Sequence, residues 1–77
     1  MSYRLTAVIW KEGKSYVSKT PELGIASAGD TPQEALANLQ EAVELYLENA
    51  EELGMLKDLG ESLSTTEKFT STFEVAI

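Results

Sequence analysis

Carboxylates are the side chains with the most chemistry to offer in this sequence. Glu34, Glu41, Glu44, Glu48, Glu51 and Glu52 recur within GDTPQEALANLQEAVELYLENAEELG, residues 29–54, a stretch with no Lys or Arg. Acids at this spacing give a weak divalent-cation site at best, or meet positive groups on another molecule. Glu74, near the end of the chain, is the further acid that a metal-dependent nuclease would recruit. Ser15 or Ser18 near Lys19 has the composition of a Ser–Lys nucleophile pair, but adjacent residues of a strand point to opposite faces, so a solvated serine is the simpler reading. The chain has no His and no Cys. That removes imidazole and thiolate metal sites, Cys and His nucleophiles, the histidine general base and any disulfide.

The elements that must position these acids follow from periodicity. Residues 3–11 alternate as a strand, with Tyr3, Leu5, Ala7 and Ile9 on one face and Arg4, Thr6, Val8 and Trp10 on the other. Lys11-Glu12-Gly13-Lys14 suits a tight hairpin, after which residues 15–20 return antiparallel. Pro21 closes that strand because it has no N–H for the ladder, and Pro-Glu-Leu-Gly reads as a loop. Ile25 to Ala28 fit a short third strand. The helix signal is the strongest: Thr31 as N-cap, Pro32 at the first position, Glu34 completing a capping box, and Gly54 as left-handed C-cap. The spacing predicts a helix over Pro32 to Leu53, about 33 Å long.

At about 100° per residue, Leu36, Leu39, Ala42, Val43, Tyr46, Leu47, Ala50 and Leu53 fall in one arc that faces the sheet. The glutamates fall almost opposite, as one exposed ridge. A solvated helix face normally mixes signs, since Glu-to-Lys pairs at i, i+4 add a few tenths of a kcal/mol and like charges subtract as much. Glu44/Glu48 and Glu48/Glu52 are like-charge pairs of that kind. A ridge slightly unfavourable to its own helix points to an external cation, and a basic protein is the natural one. Leu45, beside the ridge, can serve as an apolar anchor in a polar interface. The predicted partner surface is therefore Glu41, Glu44, Leu45, Glu48 and Glu52.

Residues 54–66 form a connector in which Met55 to Leu59 can make a short helical turn. Phe69, Ser71, Phe73, Val75 and Ile77 then alternate against Lys68, Thr70, Thr72, Glu74 and Ala76 as a last strand. The expected fold is α+β, in the order β-β-β-α-β: a four-stranded mixed sheet with one long helix on one face. One helix leaves the other face bare, so Val8 and Trp10 are expected to lie in the interface of a homodimer or higher oligomer. This order resembles the front part of an RNase H-like fold, whose nucleases draw metal-binding carboxylates from the first strand, the helix and the fourth strand. The first strand here offers no acid between residues 3 and 11, so the metal cradle is incomplete.

With 77 residues the chain reads as one domain whose end leaves no room for a C-terminal DNA-binding segment. Thirteen acidic against six basic residues give a net charge of −7. That charge repels phosphate backbones and anionic lipid, which argues against direct DNA binding and against a membrane surface. Arg4, Lys11, Lys14 and Lys19 cluster in the first two strands, and Trp10 and Tyr16 offer stacking faces, but lysines that blunt a sheet edge are the simpler account. The longest apolar run, Ala7-Val8-Ile9-Trp10, is far below the ~20 residues of a membrane span, and the N-terminus has no basic-then-apolar leader, so a cytoplasmic location is expected.

YVSKTPELGIASAGDTPQEALANLQEAVELYLENAEELG resembles the N-terminal domain of HicB-like antitoxins. Members pair a strand ending in a PEL loop with a helix of the form G-D/E-T-x-E-E-A-L-x-N-L-x-E-A-[IV]-E-L-Y-L. The resemblance covers roughly residues 3–53; residues 54–77 agree only in offering a final strand. It implies a partial RNase H-like fold without nuclease residues, no cofactor, and a non-enzymatic role: the antitoxin of a type II toxin–antitoxin pair, neutralising a small basic HicA-type toxin that cleaves mRNA. Many relatives add a ribbon-helix-helix or helix-turn-helix segment that represses their operon, and this chain stops before one. The other readings are a homo-oligomeric interaction module with no toxin, and a residual metal-dependent nuclease.

Overall fold

The computed structural model describes residues 3–77, the side chains of Asp58, Glu61 and Ser62 excepted. Three strands, β1 (Val8–Glu12), β2 (Ser15–Thr20) and β3 (Ile25–Gly29), form an antiparallel sheet in the order β1-β2-β3. One long helix, α1 (Pro32–Glu52), packs on one face. A 3-10 turn at Leu56–Leu59 and a short helix α2 (Gly60–Ser64) follow. Gly13, first of the two residues linking β1 to β2, takes a φ of +64°, which glycine adopts without steric cost.

Only the second half of the predicted first strand joins the ladder. Its last pair is Val8 with Lys19, because beyond Thr20 the partner chain turns away at Pro21. The Thr6 N–H, which a longer strand would give to a neighbouring carbonyl, goes instead to the Glu22 carboxylate, at 3.2 Å from Oε1 and 3.0 Å from Oε2.

The start of α1 is capped as its sequence requires. The Glu34 N–H donates to the Thr31 hydroxyl oxygen at 3.0 Å, and the Glu34 carboxylate accepts from the Asp30 N–H at 3.4 Å, one residue earlier than an ideal capping box. At the other end Gly54, with φ +71°, lets its own N–H reach the Glu51 carbonyl and the Met55 N–H reach that of Ala50. This is the Schellman pairing that satisfies the last turn.

The core is small: Ala35, Leu39, Val43 and Ala50 of α1, with Leu63 of α2. Ala35 lies outside the predicted apolar arc yet is fully buried, because the helix N-terminus comes down onto β3 at Gly29. A Cβ there would lie 2.6 Å from the Ala35 nitrogen. Close approach also explains why the layer of β2 beneath the helix is polar and small. The buried Ser18 hydroxyl donates to the Ala35 carbonyl at 2.8 Å, and buried Thr20 donates to Glu22 at 3.1 Å.

Because α1 lies mainly over β3 and β2, the β1 side of its apolar arc is open, and Leu36 remains exposed there. The predicted last strand is not formed within the chain. Residues 65–77 have no regular secondary structure, and Phe69 and Phe73 are 92% and 87% exposed. Among the described residues the sheet is therefore three-stranded: β1 ends its pairing at Val8 and has no strand on its outer edge. No helix among the described residues is long and apolar enough to cross a membrane.

Candidate functional site

Glu41, Glu44, Leu45, Glu48 and Glu52 all stand exposed on the side of α1 away from the sheet, as the helical repeat requires. Among the described residues none of these carboxylates takes part in an ion pair; the salt bridge found there is between Lys68 and Glu22. The ridge is not wholly without positive neighbours. Lys57 lines a shallow hollow of about 530 Å³ together with Glu44, Glu48 and Glu51, beyond ion-pair distance of each. Arg4 borders the larger groove that Glu44 also lines. The cation near the ridge thus comes from outside the stretch 29–54, where reading the helix by itself does not find it.

Val8 and Trp10 lie on the sheet face opposite α1, 38% and 40% exposed. The register adds partners that alternation in β1 does not reveal: Trp10 stands beside Val17, and Val17 beside Ala28, so an apolar strip crosses all three strands. No element among the described residues covers it. Lys19 flanks the strip opposite Val8, while Lys11 lies over the Tyr16 ring, 5.9 Å from its centroid, on the other face. Lys11 and Lys19 thereby lie on opposite faces of the sheet rather than in one patch.

A densely bonded group lies where the sequence presents only a loop. Glu22, with a side chain 9% exposed, pairs with Lys68 at 2.8 Å and accepts from the Thr6 hydroxyl at 2.8 Å, the Thr6 N–H and the Thr20 hydroxyl. Lys68 also donates to the Arg4 carbonyl. Burial alone raises this carboxyl; the Lys68 ammonium, its own backbone N–H and both Thr6 donors outweigh that and hold it at about 2, below the ordinary 4.5. One side chain so joins the entry to β1, the end of β2 and the segment after α2. The available signal is an acid directly after a strand-ending Pro, with Thr two residues before it.

Glu74 lies on the exposed tail. No group of three or more acids among the described residues is placed to share a cation. Ser18 is committed to the Ala35 carbonyl, and Lys19 is on the opposite face. Beside β1 runs an open groove of about 870 Å³ between residues 3–7 and the uncovered flank of α1, with Leu5, Leu36, Leu39, Val43 and Leu47 in its walls.

No curated protein and no solved structure matches the chain. Residues 5–70 match the model described as a family of unknown function, DUF7387, and the chain belongs to that family.

Proposed function

We propose that the chain is a non-enzymatic HicB-like antitoxin that binds and neutralises a small basic toxin of the HicA type. The single observation that carries this reading is the exposed ridge Glu41, Glu44, Glu48 and Glu52, which lacks ion-pair partners among the described residues and has Leu45 as an apolar neighbour. Carboxylates aligned along a rigid helix present a fixed negative field to a cationic surface, and a toxin that grips RNA through such a surface loses it to the antitoxin. The PEL loop and the GDTPQEALANLQEAVELYL helix support the same family reading, and with it the four-stranded, partial RNase H-like sheet for which the tail is patterned. In this reading the protein acts in the cytoplasm, needs no cofactor and does not contact DNA.

Calorimetric titration of the purified chain with a HicA-type toxin at rising salt tests it. Affinity should fall steeply with salt, and E44Q/E48Q/E52Q should weaken it by about tenfold or more. Capture as tight as before by the triple variant sinks the electrostatic account.

A second reading has its own observation. The uncovered strip of Trp10, Val17 and Ala28, with Val8 beside it, favours a homo-oligomeric interaction module whose sheets pack face to face. Recovery of only its own subunits in a pull-down from the native host would favour that module over the antitoxin.

A further inference from the structure

The chain carries both halves of an interaction that it does not make with itself. One half is the tail. Phe69, Phe73, Val75 and Ile77 share one parity, so as a strand they would form a single apolar face, yet all four are exposed. The other half is the groove between residues 3–7, the run that leads into the edge strand β1, and the flank of α1, where Leu5, Leu36, Leu39, Val43 and Leu47 form apolar walls. No residue of 69–77 lines that groove.

We propose that residues 69–77 are a strand donated to a second copy of this chain, seated in its groove alongside residues 3–7, the run that leads into β1, with the exchange reciprocal. Pairing along an exposed edge supplies main-chain hydrogen bonds, and alternate side chains fill the adjoining pockets. The lengths agree. Residues 69–73, which carry both phenylalanines, span roughly 17 Å as a strand, and the part of α1 that lines the groove, Leu36 to Leu47, spans about 17 Å.

The donor's own groove is not the seat in this structure. Lys68, bonded to Glu22 and to the Arg4 carbonyl, fixes where the tail departs, and the apolar side chains beyond it stand in solvent. The departure shows in the dimensions: the radius of gyration is 14.1 Å, against about 11–12 Å for a compact chain of 77 residues.

The area suffices for a stable pair. Each phenylalanine buries on the order of 150–250 Å², so the rings of two exchanged tails remove roughly 600–1,000 Å². Val75, Ile77 and the paired backbone carry the total into the range of about 1,200–2,000 Å² typical of specific interfaces. A basic toxin on the glutamate ridge is not required.

The test is made on the full chain. Sedimentation from low to high micromolar concentration should give at least a dimer of the 8.4 kDa protomer. In a sample mixed from isotope-labelled and unlabelled copies, filtered NOEs should connect Phe69 or Phe73 rings of one copy to Leu5, Leu36 or Val43 methyls of the other. F73D should raise the dimer dissociation constant by at least about tenfold. A monomer at all concentrations overturns the proposal. So do tail-to-groove NOEs found only within one copy, or a dimer without them. The NOE measurement uses unaltered protein, so it separates these outcomes even if F73D fails to fold.

Discussion

Glu22 ties together three separate segments of the chain, and its protonation state is set by the contacts it organises. Its carboxyl is held at about 2 where 4.5 is ordinary, so the folded state prefers the ionised form more than the unfolded chain does. The contribution is complete above the ordinary value and is lost as pH falls from about 4.5 toward about 2. Urea titrations across that window should show wild-type stability falling, with a flatter profile for E22Q. At neutral pH E22Q should cost about 1–3 kcal/mol, since the amide cannot accept all the donors left by Thr6, Thr20 and Lys68. G29A belongs to the same scale. Its methyl group would sit 2.6 Å from the Ala35 nitrogen, a backbone atom that cannot swing away, so a loss of about 1–3 kcal/mol is expected by thermal unfolding. Neither role is legible in the sequence. A glutamate in a Pro-Glu-Leu-Gly loop declares its polarity but not the residues that fold back on it, one of them Lys68 from far along the chain. The importance of Gly29 likewise depends on which helical residue comes down upon it.

At the level of elements, legibility tracks how local the determining physics is. The α1 boundaries follow from Thr31, Pro32 and Gly54, which act within a few residues of themselves, and the structure places the helix within one residue of the expected end. Alternation in residues 3–7 overstates the first strand, because it says nothing of whether a partner strand continues opposite them; Pro21 ends that partner. Periodicity identifies the apolar arc of α1 but not which part of it is covered, since that depends on the offset of the helix toward β3. The ridge gives a prediction with two opposite signs. E48K replaces the like-charge pairs with Glu44 and Glu52 by attractive ones, so it should raise helix stability by a few tenths of a kcal/mol in chemical denaturation. The same change should weaken binding of a basic partner in calorimetric titration. A residue kept for folding would not show this opposition.

For the whole molecule, the decisive quantity is how much apolar surface a small chain leaves outside. A domain of this size buries a modest share of its surface, and here α1 covers one sheet face only in part while the tail covers nothing. Two surfaces are then available for self-association: the groove that a donated tail would fill, and the outer strip of Trp10, Val17 and Ala28. They lie on different sides of the sheet, so they can act in succession, with exchanged tails making a dimer and outer faces joining dimers. Trp10, the single tryptophan, reports on the second step alone. Trp10 is 40% exposed in the isolated chain, so packing against a neighbouring sheet should shift its emission to the blue as concentration rises, and dilution should reverse the shift. V17K puts a charge beside Trp10 on that face and should abolish the concentration dependence while leaving the tail-mediated dimer seen by sedimentation. F73D should leave the Trp10 shift in place but move it to higher concentration, because each face would then be presented by a monomer rather than by a paired unit. An emission maximum that does not move with concentration would remove the outer face from the assembly and leave strand exchange as the route by which this chain meets itself.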